Sequence, residues 1–273
     1  MMNKTDSTAP SLPFWELVAI VAAAMALNAL AIDMMLPALG IIGDELGAAR
    51  DNDRQLIVVV YVLANGTAQL FLGPVVDRFG RKRVLLWALG GYVAGSLLSI
   101  IASSFTLLLA ARAFQGMTTA AARVAAMAVV RDQCSGRRMA EVMSIAITIF
   151  MAAPILAPGI GQLILFAAPW RGIFMALLMF GALFAIWVAL RLPETLAPED
   201  RHALNAHAIA TSYLAFLRNK ISVGYTLTAA CIFGAMFSYI STAEQIFVEL
   251  FDLGDAFALA FGFIASGFAI STL

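Results

Sequence analysis

The feature that most constrains how this chain folds is a series of long apolar stretches that are almost free of charge. Six of them span Trp15–Leu36, Gln55–Val76, Val84–Ser103, Phe105–Val130, Ala140–Phe166 and Gly172–Leu192. An α-helix rises ~1.5 Å per residue, so ~20 residues cross a ~30 Å hydrocarbon core. Two more stretches, Val223–Thr242 and Ala256–Leu273, follow a polar interval. The pattern predicts an all-α membrane protein.

Composition supports this fold class and excludes others. The chain is 62% hydrophobic and 12% charged, whereas soluble domains are usually ~45–50% apolar and ~25% charged. Its net charge is zero and it has no long basic run, so nucleic-acid binding is not expected. We predict a first six-helix bundle over residues 1–192, a partly helical cytoplasmic connection over 193–222, and the first two helices of a second bundle over 223–273.

The distribution of Lys and Arg predicts the orientation. If the N-terminus is cytoplasmic, 12 of these residues flank helices on the inside and 3 lie in outer loops. Basic residues favour the cytoplasmic side, so we expect a multi-pass inner-membrane protein with its N-terminus inside. The inner set is Lys4, Arg78, Arg81, Lys82, Arg83, Arg131, Arg137, Arg138, Arg191, Arg201, Arg218 and Lys220, and the outer set is Arg50, Arg54 and Arg171.

No metal or disulfide site is predicted. Cys134 and Cys231 have no paired spacing, and His202 and His207 lie in the polar interval without a nearby cysteine. Membrane-enzyme motifs such as Gly-x-Ser-x-Gly and His-Glu-x-x-His are also missing from the sequence. We therefore expect neither an enzyme nor a cofactor.

Charged residues within the apolar stretches are candidate functional groups. Arg112 lies about two turns into the fourth helix, and Arg123 lies eleven residues further on, nearly on the same face. Asp33, which we interpret as the acid partner, is the one carboxylate between Leu17 and Leu36 in the first stretch. Charges at this depth usually face a protein interior or a wet cavity. Burial favours the neutral form of a carboxyl, so Asp33 is a candidate for proton exchange. The alternatives are arginines that snorkel to the interface and an interfacial acid before Pro37.

Two further patterns mark turns and kinks. The segment from Gly73 to Arg83 packs four cations and Asp77 into one short turn, which by itself is equally typical of a positive-inside topogenic loop. The fifth helix contains Pro154 and Pro158, which remove backbone donors and kink the helix, and small residues that allow close helix approach.

These patterns together resemble the major facilitator superfamily, and within it the bicyclomycin and chloramphenicol resistance (Bcr/CflA) branch of drug–proton antiporters. The first segment, around Asp33, is similar to that branch. The fourth-helix pattern is carried by Arg112 and Gln115, with Arg123 on the same face, and smaller matches occur at Tyr61 and Gln69. The signature loop is carried by Gly73, Asp77, Arg78, Gly80, Arg81 and Lys82, with Asp132 as its second acid. The antiporter motif is carried by Pro154, Pro158, Gly159 and Gly161, although the family prefers glycine where Ala157 and Gln162 stand.

The resemblance implies a function and roles for these residues. The signature loop would form a latch between bundles that stabilises the outward-facing state, and Arg112 would take part in proton transfer. We expect a monomeric exporter of drug-like molecules that exchanges them for protons and draws energy from the proton gradient. The alternatives are an exporter or uptake carrier of a specific metabolite and an inactive truncated remnant. Because this family places its substrate site between two six-helix bundles, we do not expect these 273 residues to transport alone.

Overall fold

The structure, a computed structural model, describes residues 12–197, 199, 201, 206–253 and 256–271. Ten α-helices lie in these residues. They are α1 (Phe14–Asp33), α2 (Leu39–Leu46), α3 (Leu56–Phe79), α4 (Arg81–Ile100), α5 (Phe105–Gln133), α6 (Gly136–Ala167), α7 (Arg171–Arg191), α8 (Ala206–Arg218), α9 (Lys220–Glu244) and α10 (Phe257–Ser271).

The helices have the length and apolarity of membrane spans. Within the described residues, seven stretches are long and apolar enough to cross a membrane, and the part of α10 from Phe257 to Gly267 is a shorter apolar helix. The first span runs from Phe14 through α1 and α2 to Leu46. The predicted fold class, an all-α membrane protein, is confirmed.

Several boundaries differ from the predicted ones, and proline explains the first. The first apolar stretch was predicted to stay helical to Leu36, but α1 ends at Asp33 and a 3-10 turn follows over Leu36–Ala38. Proline has no backbone donor and disfavours the α conformation of the residue before it, so the helix breaks near Pro37. Neither α2 nor a second 3-10 turn over Asp51–Gln55 was predicted.

Helix α5 is the centre of the first seven helices. It packs along both α3 and α4, while α1 lies against α6 and α4 lies against α7. Small side chains allow these approaches, since a Cβ atom on Gly116 of α5 would collide with the carbonyl oxygen of Tyr61. The buried face of α5 is correspondingly rich in alanine, with Ala120, Ala122 and Ala125 fully buried.

The two ends of the bundle are named by a residue that each carries. The Gly80 end carries Gly80, Arg81, Asp132 and Arg191, and the Glu45 end carries Glu45, Arg54 and Trp170. Helix α9 is buried only toward the Glu45 end, at Ser241, Ala243 and Glu244, and every position from Gly224 to Ala235 is exposed. Helix α10 packs along α6. Helix α8 falls within the interval that was predicted to be a partly helical connection.

Candidate functional site

Arg112 is the most enclosed charge in the described part of the chain. Its side chain is 0% exposed. Nη2 donates a hydrogen bond to the carbonyl oxygen of Ala31 at 2.8 Å, and Nε donates to that of Ile57 at 3.4 Å. The guanidinium also lies 4.3 Å from the ring centroid of Tyr61. A buried charge is tolerated only when such partners replace water. Through these hydrogen bonds, Arg112 on α5 is joined to the backbone of α1 and to the backbone of α3.

Gln115 extends this network to α4. Its Oε1 accepts a hydrogen bond from Arg112 Nη1 at 2.5 Å, and its Nε2 donates to Ser96 Oγ at 2.8 Å. Ser96 in turn donates to the carbonyl oxygen of Tyr92 at 2.9 Å. The structure therefore brings the two predicted residues Arg112 and Gln115 together, and it adds Ser96, which the sequence analysis did not single out.

Asp33 is buried and lacks the predicted arginine partner. It is 3% exposed at the end of α1, and its Oδ1 atom has no hydrogen-bond partner within the described residues. The interpretation of Asp33 as the acid partner of Arg112 is wrong for this structure, because Arg112 directs its donors to carbonyl oxygens and Gln115 instead. Asp33 is thus a buried carboxyl that forms no ion pair with Arg112.

Helix α6 packs against Met34, the residue after Asp33, through a glycine of the predicted antiporter motif. A Cβ atom on Gly161 would lie within 2.9 Å of the carbonyl carbon of Met34, the residue that follows Asp33. Only glycine permits this approach without moving α1 or α6. Pro158 is buried and Pro154 is half-buried, both inside α6. Gly159 has open space around it. Of the two motif glycines, only Gly161 is therefore required by close packing.

A second polar chain connects α1 with α3. Tyr61 donates a hydrogen bond to Asn28 Oδ1 at 3.0 Å, and Asn65 donates to the same oxygen at 3.4 Å and to the Gly116 carbonyl at 3.0 Å. Gln69 donates to Asn65 Oδ1 at 2.7 Å. Tyr61, Asn65 and Gln69 are four residues apart and share one helix face. Asn28 and Asn65 were missed, although an amide inside an apolar stretch signals that it needs a partner.

Arg123 lies in a different environment from Arg112. Eleven residues at ~100° each place the two side chains about 20° apart around α5, as the sequence analysis inferred. Arg112 is nevertheless buried and Arg123 is exposed. Arg123 makes no ion pair or hydrogen bond within the described residues.

The loop residues at the Gly80 end form an ionic cluster around Arg81. Arg81 is buried, and its Nη2 lies 3.0 Å from Asp77 Oδ1 while its Nε lies 2.8 Å from Asp132 Oδ2. Asp132 also accepts a hydrogen bond from Thr195 Oγ1 at 2.9 Å. The cluster therefore ties the ends of α3, α4 and α5 to the segment that follows α7.

Gly80 and Glu194 explain the sharp turn between α3 and α4. Gly80 has φ +98°, and a Cβ atom there would lie 2.8 Å from the Glu194 carboxyl carbon. Glu194 Oε1 accepts hydrogen bonds from the backbone amides of Arg81 at 2.8 Å and Lys82 at 3.4 Å. A carboxylate at a helix N-terminus satisfies free amides and matches the helix dipole. This role of Glu194 was not predicted from the sequence.

The remaining loop residues are peripheral to this cluster. Lys82 Nζ donates to the carbonyl oxygen of Ala189 at 2.9 Å, and the Arg78 guanidinium lies 5.5 Å from the ring centroid of Phe79. Gly73 has open space around it and lines a cavity of about 240 Å³ with Asp77 and Asp132 among its other walls.

At the Glu45 end, polar side chains join α9 to the first bundle. Arg54 Nε lies 3.5 Å from Glu244 Oε2, and both side chains are buried. Gln55 donates to Gln245 Oε1 at 2.7 Å, and Gln245 donates to Asn52 Oδ1 at 3.0 Å. These contacts, made by the turn over Asp51–Gln55, were not predicted.

No metal site appears in the part of the chain that the structure describes, since no group of three His, Cys, Asp or Glu side chains there could hold an ion. His202 lies outside the described residues, and the side chain of His207 is not described. Cys134 and Cys231 are both free thiols.

Comparison with known proteins places these features in a family context. The family model described as Major Facilitator Superfamily matches residues 21–273. The chain is 33% identical over 239 residues to the uncharacterized MFS-type transporter YdgK of Bacillus subtilis, covering 86% of this chain and 59% of that protein. It is 32% identical over 227 residues to the bicyclomycin resistance protein homolog of Haemophilus influenzae, covering 81% and 55% respectively.

Two further similarities agree with these. The chain is 30% identical over 223 residues to the multidrug resistance protein MdtL of Escherichia coli, covering 80% of this chain and 55% of that protein. The fold matches the crystal structure of the human organic anion transporter MFSD10 (TETRAN) with a TM-score of 0.72 at 22% identity, covering 94% of this chain and 71% of that one. At that identity the likeness concerns the fold. The chain spans little more than half the length of the curated relatives it matches.

Proposed function

The chain belongs to the major facilitator superfamily of transporters, and from this premise we propose that the whole protein exports drugs or other small amphipathic molecules in exchange for protons. We place it in the Bcr/CflA branch. Its energy source is the proton gradient, with no further cofactor, and its ligands are a drug-like molecule and protons. We further propose that it is a monomer in the bacterial inner membrane with its N-terminus in the cytoplasm.

The observation that carries the proposal is the buried carboxyl of Asp33. One of its oxygens has no hydrogen-bond partner within the described residues, and Arg112 directs its hydrogen bonds to carbonyl oxygens and to Gln115 instead. A carboxyl in such a place is more stable neutral than charged, so it retains a proton until water or a ligand reaches it. Protonation and deprotonation of Asp33 would then couple proton movement to rearrangement of α1 against α6, which meet at Met34 and Gly161.

The contacts between the bundles support a transport cycle with alternating access. At the Glu45 end, α9 is held against the first bundle by Arg54 and Glu244. Toward the Gly80 end, α9 is exposed over Gly224–Ala235. With the N-terminus inside, the contact at the Glu45 end corresponds to a state closed to the outside, in which an exporter would collect its substrate from the cytoplasm.

The relatives support export over uptake. One similar protein is named for bicyclomycin resistance and another for multidrug resistance. A carrier of one specific metabolite and an inactive remnant remain the alternatives that the experiment below separates from drug export.

The test uses the full-length gene product in everted membrane vesicles from an efflux-deficient bacterium, in which export appears as uptake into the lumen. An acid-inside gradient should drive accumulation of ethidium or chloramphenicol, and an uncoupler should abolish it. Asp33→Asn should remove the response to the gradient while leaving the amount of protein in the membrane unchanged. Asp44→Asn, an exposed aspartate on α2, is the matched control.

Each outcome separates the alternatives. Accumulation that ignores the uncoupler, or an Asp33→Asn protein with undiminished gradient-driven uptake, would refute proton coupling through Asp33. Accumulation of neither drug at normal protein levels would favour a metabolite carrier or a remnant.

A further inference from the structure

The interior of the first bundle offers a substrate one accessible charge. Of all charged residues in the described helices, only Arg112 and Arg123 lie at least seven residues from both ends of their helix. Arg112 is 0% exposed and makes its hydrogen bonds with carbonyl oxygens and Gln115. It is closed to ligands by the protein around it. Arg123 is exposed and forms no ion pair within the described residues.

The face of α5 that carries Arg123 is the inner face. The exposed apolar side chains Leu107, Phe114 and Met117 lie about 120–180° away from Arg123 around the helix, at ~100° per residue. Arg123 instead shares its stripe with the buried residues Arg112 and Thr119. Arg123 is therefore exposed on the inner stripe of α5 and not on its outward-facing side, and the uncovered space beside it is here called the gap.

The contacts of the stripe show where this gap begins. At Arg112, the backbones of α1 and α3 cover α5 through Ala31 and Ile57. At Gly116, α3 still touches α5 through the carbonyl oxygen of Tyr61. Arg123 lies about two turns, or ~10 Å, further toward the Gly80 end and is uncovered. The stripe is thus buried at Arg112, Gly116 and Thr119 and exposed at Arg123.

Amide side chains lie at the closed end of the gap. Asn28 on α1 and Gln69 on α3 are half-buried and belong to the hydrogen-bonded chain through Asn65. Because α3 and α5 run in the same direction and touch at Gly116, the turn of α3 with Gln69 is level with Arg123, seven residues beyond that contact. A ligand in the gap would meet one cation and neutral amides.

This chemistry selects for anions. A guanidinium binds carboxylate, sulfonate or phosphate oxygens through two parallel hydrogen bonds, and its attraction is stronger where apolar walls lower the local dielectric. No exposed carboxylate lies at this depth in the described helices. Asp77 and Asp132 lie about two turns nearer the Gly80 end than Gln69 and Arg123, so Arg123 is the charge nearest to a ligand in the gap.

We propose that Arg123 binds the anionic group of an amphipathic substrate, so that this transporter prefers amphipathic anions to neutral or cationic drugs. The inference rests on the proposed export function and adds the substrate class. The apolar part of the ligand would contact the surrounding aliphatic side chains, and the amides of Asn28 and Gln69 would bind neutral polar groups.

The experiment compares two dyes that differ only in charge, dansylglycine and dansylglycinamide, with ethidium as a cation. Initial rates of accumulation are measured in everted vesicles that contain the full-length protein under an acid-inside gradient. The unaltered protein should transport the carboxylate about tenfold faster than the amide. Arg123→Gln should lower the carboxylate rate about tenfold or more and change the amide rate less than twofold, whereas Arg123→Lys should retain much of the carboxylate rate.

Arg138→Gln is the matched control, because Arg138 is an exposed arginine near the start of α6, away from the gap. An equal loss of all three substrates in Arg123→Gln would overturn the proposal, since it would indicate pairing with an acid elsewhere in the protein. Unchanged selectivity would also overturn it, as expected for an arginine that binds lipid phosphates. Transport of ethidium without transport of dansylglycine would do the same. Failure of all three dyes in the unaltered protein would instead contradict the export function itself.

Discussion

The ion pair between Arg54 and Glu244 yields the sharpest prediction about how this transporter opens. The pair joins the turn over Asp51–Gln55 to the end of α9, with 3.5 Å between Nε and Oε2. The two side chains are only 10% and 8% exposed. Gly40 lies directly behind the pair, since a Cβ atom there would be 3.2 Å from Glu244 Oε1. We predict that Glu244→Gln shifts the molecule toward a state that is open at the Glu45 end.

The size of the shift follows from the burial of the pair. Deleting one partner of a buried ion pair costs ~3–5 kcal/mol, because the other charge is left uncompensated. Glutamine keeps the shape and a hydrogen-bond acceptor, so the loss is smaller, and we expect about 2 kcal/mol. At ~1.4 kcal/mol per factor of ten, the ratio of open to closed molecules should rise about 25-fold.

The assay uses a neighbouring contact as a reporter. Gln55 and Gln245 meet through a 2.7 Å hydrogen bond, so cysteines at these positions should be joined by a short bifunctional thiol reagent when the Glu45 end is closed. In the full-length protein, Glu244→Gln and Arg54→Gln should each slow the cross-linking reaction. The exchanged pair, Arg54→Glu with Glu244→Arg, should recover most of the rate. Asp44→Asn on α2 should have no effect.

Two results would refute this reasoning. Unchanged cross-linking in both single variants would mean that the ion pair does not hold the ends together. Additive losses in the exchanged variant would mean that each residue acts through some other contact and that the pair has no coupling energy.

Three further predictions concern stability, measured as the thermal unfolding of the detergent-solubilised protein. Gly161→Ala should lower the free energy of unfolding by about 1–3 kcal/mol, because its Cβ would collide with the backbone at the end of α1. Gly159→Ala has open space around it and should leave the stability unchanged. Equal effects of the two substitutions would contradict the α1–α6 packing. Gly80→Ala should lose about 2 kcal/mol or more from its positive φ and the clash with a carboxyl group, with Gly73→Ala as the unobstructed control. Asp132→Asn should lower the free energy of unfolding by about 1 kcal/mol, since it weakens the ion pair with Arg81 and keeps the hydrogen bond from Thr195. A variant more stable than the unaltered protein would show that the cluster is strained.

Much of the fold follows from the sequence because its signals are local. A run such as Gly172–Leu192 needs only its own length and apolarity to become a membrane helix, and α7 occupies Arg171–Arg191. The turn at Gly80 could be recognised because glycine tolerates positive φ. The short helix α2 was missed, because its eight residues, Leu39–Leu46, are too few to be recognised as a membrane span.

The partners of the candidate site could not be obtained in the same way. Arg112 was identified as a deep charge, but its bonds to the carbonyls of Ala31 and Ile57 depend on how α1 and α3 cross α5. Every residue has a carbonyl oxygen, so no sequence pattern identifies these acceptors. The expected pairing of Asp33 with Arg112 failed for this reason.

The sequence by itself determined that the chain forms membrane helices. It also identified the charged residues that lie within these helices, where contact with lipid would be costly. Only the tertiary structure decided which of these charges are buried and which are exposed. Arg112 and Arg123 lie on one stripe of α5 and look equivalent in the sequence, yet the first is buried and the second is exposed. The physical reason is that burial depends on how closely neighbouring helices cover each turn, which is a property of the packed bundle and not of any one helix.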